Sequence, residues 1–231
     1  MTRVQGARAR ARVEITAAIK EEARTQLAAE GAARLSLRAV ARELGMVSSA
    51  LYRYFPSRDD LLTALIIDAY DAVGAAAEHA LATAAPHDHL TRWTAVCRAV
   101  RTWALGHPHE YALIYGSPVP GYTAPGDTVG PASRVGLALV AVVRDAVAAE
   151  AVTPPPLPEG LRAEAERLSV GVAPDLPPAH ALALVAAWSQ LFGLVSFELF
   201  GQFHRLIEER ETFFAEATRR LGRDVGLSCG G

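Results

Sequence analysis

The side chains best suited to chemistry on a polyanion gather in one stretch, Leu35–Leu62, which reads LSLRAVARELGMVSSALYRYFPSRDDLL. Ser48, Ser49, Ala50 and Arg53 set small residues beside one long cation, the combination that lets a helix approach base edges in a major groove. Tyr52, Tyr54, Arg58 and the Ser36 hydroxyl are donors of the kind that bond phosphate oxygens and fix register without reading sequence. Arg38, at the start of the preceding apolar run, suits either task. Charge agrees with this: residues 1–58 hold 11 Lys+Arg against 5 Asp+Glu, and the remainder 12 against 20. The net charge of −2 therefore conceals a basic head on an acidic body, and a basic head suits a polyanionic partner.

Other candidate chemistry is thin. His107-Pro108-His109-Glu110 and His87-Asp88-His89 lack the HExxH spacing, and a proline splits the first pair, so both are expected to be surface loops with no metal. GxGxxG, P-loop and GxSxG patterns are absent, so no cofactor is expected and an enzyme is unsupported. Cys97 has no local base and is expected to be a buried structural thiol. With Cys229 it forms neither a CxxC pair nor a disulfide scaffold, which points to a reducing cytoplasm. Arg3, Arg8, Arg10 and Arg12 precede no apolar signal core. The richest apolar stretch, Ala179 to Gly201, is interrupted by His180, Ser189, Gln190, Ser196 and Glu198, so no membrane span is expected.

The elements that must hold these residues are helices throughout. At 51% hydrophobic residues the chain can fill a core, and helix-period patterns dominate with no sustained alternation, so the fold class is all-α. Ile15, Ile19, Ala23 and Leu27 mark a first helix of about five turns ending near Gly31. Ser36 caps a short helix carrying Leu37, Val40, Ala41 and Leu44; Gly45 turns the chain; Val47, Ala50, Leu51 and Tyr54 line the next helix, which Pro56 ends. Ser57 and Asp60 open a fourth helix running to about Ala84. Further helices are predicted at about Leu90–Gly106, Glu110–Tyr115, Ala132–Ala151, Glu159–Val170, Ala179–Gln202 and Ile207–Leu221, with a long loop over Gly116–Pro131.

Two short helices joined by a glycine turn, with small and basic residues on the second, fit a helix-turn-helix. The stretch resembles the DNA-binding domain of the tetracycline-repressor (TetR) family of bacterial regulators. The resemblance rests on Ser36, Ala41, Gly45-Met46, Leu51-Tyr52-Arg53-Tyr54-Phe55 and Ser57, and covers roughly residues 12 to 70. Met46 stands where valine is usual, Tyr54 where histidine is common and Arg58 where lysine is typical.

That resemblance implies a head over residues 1–56, with the connecting helix running to about 70, and an effector-binding, dimerising body over 57–231. It also implies a homodimer joined through the helices at about 179–202 and 207–221. The run Trp188-Ser189-Gln190-Leu191-Phe192-Gly193 resembles a TetR subgroup with a tryptophan and a glycine in this helix. That helix is apolar all round, which calls for burial on every side. Trp93, Cys97, Trp103, Tyr111, Tyr115, Trp188, Phe192 and Phe197 are the candidates for an effector pocket, offering an apolar wall with a few polar tips. The expected function is a ligand-responsive repressor released from palindromic double-stranded operator DNA by a small molecule. The rival is a small-molecule binding protein or enzyme whose basic head is structural only.

Overall fold

A computed structural model of the chain describes residues 3–228; Cys229 lies outside them. Among the described residues there is no β-strand, only an isolated bridge between Val152 and Leu227. The chain forms two compact units: residues 1–70 with 107–129, and residues 71–106 with 130–231.

The first unit holds α1 (Arg3–Glu30), α2 (Leu37–Glu43), α3 (Ser48–Leu51), the start of α4 (Arg58–Thr83) and α6 (Pro108–Tyr115). Its core takes Ile19, Ala23 and Leu27 from α1, Leu37, Val40 and Ala41 from α2, Leu51 from α3, Phe55 from the following turn, and Leu61, Leu62 and Leu65 from α4. The periodic apolar positions of the sequence are thus the ones that meet. Helix α1 is longer than its apolar stripe predicts, at 28 residues or about 42 Å. Residues 7–12 alternate alanine and arginine, good helix formers that carry no apolar period to reveal them. Helix α3 is shorter than predicted, four residues followed by turns through Tyr54.

Helix α6 and the segment after it belong with this unit, although the sequence places them in the body. Arg24 of α1 donates to Glu110 of α6 at 3.0 Å and to Asp68 of α4 at 2.8 Å. Tyr122 and Thr63 hydroxyls lie 2.9 Å apart, the Tyr70 hydroxyl donates to the Ile114 carbonyl at 3.3 Å, and Leu113, Val119 and Tyr122 pack on the core.

The second unit holds the rest of α4, then α5 (His89–Gly106), α7 (Val129–Ala148, from Gly130 on), α8 (Arg162–Gly171), α9 (Pro178–Leu199) and α10 (Arg210–Asp224). Helix α7 begins earlier than predicted, with Gly130 and Pro131 inside its first turn. First-turn N–H groups have no intrahelical partner, so a proline costs little there. Helix α10 begins three residues later than predicted, after turns in which Gly201 and Arg205 take φ of 80° and 61°. Arg134 ties α7 to α4 by forked pairing with Glu78 at 2.6 and 2.8 Å and a 2.7 Å bond to Asp71, passing Gly74 so closely that a Cβ there would sit 2.7 Å from Arg134 Cβ.

By length and a mean hydropathy of 1.6, α9 could cross a membrane. It packs instead against α5, α8 and α10, and its Glu198 is buried in a two-point ion pair with Arg101 of α5, both bonds 2.7 Å. The burial on every side that its composition calls for is not met within one chain. Val185, Trp188, Phe197 and Phe200 are exposed.

Candidate nucleic-acid interface

The short α2 is started and stopped by its own sequence. Ser36 Oγ accepts from the Ala39 amide at 3.4 Å, satisfying one of the N–H groups left open at the helix start. At the other end Gly45 takes φ of 64°, which lets its amide bond the Arg42 carbonyl (3.1 Å) and the Met46 amide reach the Ala41 carbonyl (2.8 Å). This paired closure turns the chain sharply into α3. Leu51 is fully buried beneath, and Phe55 seals the far end before Pro56. Ser57 Oγ then accepts from the Asp60 amide at 3.1 Å and donates to its carboxylate at 2.7 Å, opening α4.

With its apolar side anchored, α3 has only one side left for solvent. Ser48 and Ser49 are exposed, Ala50 is half-buried, and Tyr52 and Arg53 in the following turn are exposed. Arg38 on α2 is exposed as well, while Ser36 is half-buried and its Oγ accepts the cap bond. Tyr54 is half-buried under the guanidinium of Arg12, which stands 5.2 Å from its ring centroid and donates to the Arg53 carbonyl at 3.4 Å. Arg12 was not among the expected contact residues. Only its position in an arginine-rich segment marks it in the sequence.

Arg58, for which a phosphate contact is expected, is bonded within the head. Its Nη2 donates to the carbonyls of Ala32 (2.8 Å) and Ala33 (3.3 Å), and its Nε to that of Leu35 (3.2 Å). These are the acceptors of the tight turn between α1 and α2, and the planar guanidinium gathers them as a fork. The residue therefore braces the turn between α1 and α2.

The eight positions considered for an effector pocket separate. Trp93 and Cys97 are fully buried on α5, the Trp93 Nε1 donating to the Thr218 carbonyl of α10 at 3.0 Å. Burial pushes the Cys97 thiol well above its ordinary range. Trp103 and Phe192 are buried too, and Phe192 meets Trp188 edge to face at 5.6 Å. Trp188 and Phe197 are exposed. Tyr111 and Tyr115 lie in the other unit, 5.1 Å apart, with Tyr70 against Tyr115 at 5.9 Å. The Tyr70 and Tyr122 hydroxyls add polar groups that no pattern in the sequence marks. His107, His109 and His87 are exposed, and no three potential metal ligands converge among the described residues.

A tight bihelical unit that turns small and basic side chains outward from a closed apolar floor, coupled in one chain to a larger helical unit, is the build of a helix-turn-helix transcriptional regulator. Comparison with known proteins gives the family. Residues 19–65 match the bacterial regulatory proteins of the tetR family, and residues 93–221 the tetracyclin repressor-like C-terminal domain. The HTH-type transcriptional regulators Rv1816 of Mycobacterium tuberculosis and Mb1846 of Mycobacterium bovis are each 44% identical over 213 residues, covering 86% of either chain. The crystal structure of SCO4313 is similar at a TM-score of 0.73 and 36% identity, covering 92% of this chain and 97% of that one. The chain belongs to the TetR family of transcriptional regulators, in which ligand-responsive repression is the general property.

Proposed function

We propose that the chain works as a homodimeric repressor, reading a palindromic operator with two heads and leaving it when a small molecule binds. The observation that carries this reading is the outward set Arg38, Ser48, Ser49, Tyr52 and Arg53 over the buried Leu51. Ser48, Ser49, Ala50 and Arg53 face base edges in the major groove, while Tyr52, Tyr54 and Ser36 act on the backbone. Arg38 supplements either set. The two heads occupy successive major grooves about 34–36 Å apart.

The mate is held through α9 and α10. A groove of about 560 Å³ between them is walled by Leu194, Phe197, Phe203 and Phe213, with Glu216 and Arg220 at its margin. An exposed apolar cleft with charged edges suits a self-complementary twofold contact. The effector is a small apolar or aromatic molecule. By linkage it weakens DNA binding by the factor by which DNA weakens its own binding. Helix α4 belongs to both units and so serves as the lever. Acting on chromosomal operators places the protein in the cytoplasm, and its work is binding rather than catalysis.

The deciding experiment pairs sedimentation with a gel shift on the DNA flanking the chain's own gene. A dimer whose specific complex is weakened by Arg53→Ala supports the reading. A monomer that binds no duplex in a salt-sensitive way overturns it.

A further inference from the structure

Residues 7–14 of α1 add no side chain to the apolar core of the head. Residues 7–14, Ala-Arg-Ala-Arg-Ala-Arg-Val-Glu, are exposed without exception, and the helix first meets the core at Ile15 and Ile19. The segment is helical all the same, because alanine and arginine are strong helix formers and the anchored part of α1 supplies the nucleus.

At about 100° per residue, Arg8 and Arg12 continue the face that carries Ile15 and Ile19, and Arg10 takes the opposite face. The stripe that is apolar over the core therefore becomes cationic where it runs past the core's edge. That edge is the reading unit itself: Arg12 bonds the Arg53 carbonyl and covers the Tyr54 ring. Arg8 stands one turn further along the same face, about 6 Å up the axis. Neither Arg8 nor Arg10 has an ion-pair partner among the described residues, and Glu14 is the only carboxylate in the segment.

Three exposed arginines without ion pairs among the described residues, on a preformed helix that runs past the recognition turn, complement a polyanion that already lies against that turn. We propose that this extension of α1 is a second DNA-binding surface, which grips duplex phosphates beside the half-site read by α3 and adds affinity without sequence preference. The inference rests on the DNA-reading role of α3 given above.

The test uses the full chain, a fluorescein-labelled 40-bp duplex of arbitrary sequence and anisotropy titrations between 50 and 200 mM NaCl. The probe needs no known operator because the predicted contacts are electrostatic. Arg8→Ala/Arg10→Ala is expected to flatten the plot of log K against log salt by at least about one per bound chain, the share of Arg8 on the face that meets the recognition turn, and to weaken binding severalfold at 100 mM. Arg8→Lys/Arg10→Lys should retain the slope. Because both side chains are exposed, helicity and Tm should not move in either variant.

Arg38→Ala/Arg53→Ala separates this inference from the one beneath it. If that variant loses affinity while the Arg8/Arg10 alanine variant keeps the wild-type slope, the extension is not a DNA surface and the α3 reading stands. If wild type itself shows no salt-dependent affinity for duplex, the α3 reading fails and the inference falls with it. Binding of the extension to an acidic protein or anionic vesicle, with an unchanged slope on DNA, also overturns it.

Discussion

Two arginines on either side of Pro56 are chemically alike, yet their surroundings give them different work. Arg53 is exposed beside the serines of α3, and its replacement by alanine should cost about 1–3 kcal/mol at a specific site, measurable as a loss of discrimination between operator and random duplex. Arg58 holds three main-chain carbonyls of the α1–α2 turn. Arg58→Ala should therefore lower the thermal stability of the head by roughly 1–2 kcal/mol while leaving the salt slope of DNA binding in place. The residue type of Arg58 is legible in the sequence but its main-chain acceptors are not, because carbonyls belong to every residue alike. Histidine supplies another test at this scale. His180 is buried with neither ring nitrogen bonded, and burial lowers its pKa. Its contribution to stability is complete above about pH 6.5 and is lost as pH falls toward the lower folded value, since the unfolded imidazole takes a proton that the folded one refuses. His89, also lowered chiefly by burial, acts with the same sign. Tm measured from pH 7.5 to 5.5 should decline, and His180→Gln should shrink that decline.

Among the elements, helix packing depends on two glycines that bring backbones close. A Cβ at Gly74 would fall 2.7 Å from Arg134 Cβ, and one at Gly222 would fall 2.7 Å from Leu90 Cδ1 and 3.0 Å from the Trp93 ring. Gly74→Ala and Gly222→Ala should each cost about 1–3 kcal/mol by overpacking, read in urea unfolding, even though alanine is the better helix former. Gly74→Ala should be matched by Arg134→Ala in weakening the α4–α7 join, whereas Gly222→Ala acts on α5 and α10. Most helices were legible in the sequence because one side of each carries an apolar period that a core must cover. The turns that frame α2, α3 and the start of α4 were legible, since Ser36, Gly45, Pro56 and Ser57 each leave a local stereochemical mark. The start of α1 and the partners of its arginines were not, because an exposed helix has no period to detect. Ion pairs such as Arg101–Glu198 join residues 97 positions apart. A carboxylate in an apolar helix announces that it has a partner but not which one.

For the whole molecule, the proposed assembly turns on the cleft between α9 and α10 and on Phe197, 54% exposed in the single chain. Placing a charge there by Phe197→Glu should shift sedimentation from dimer to monomer. Operator affinity should then fall far more than nonspecific affinity, because two linked heads lose the advantage of binding as one. The complete enclosure of Cys97 between α5 and its neighbours bears on how the second unit moves. A sulfhydryl that meets no solvent can be alkylated only during excursions in which that unit opens, so in a Cys229→Ser background its labelling kinetics become a clock for those excursions. An effector that holds the unit closed should slow the clock in proportion to its occupancy, which offers a screen for ligands that requires neither an operator nor a mapped pocket.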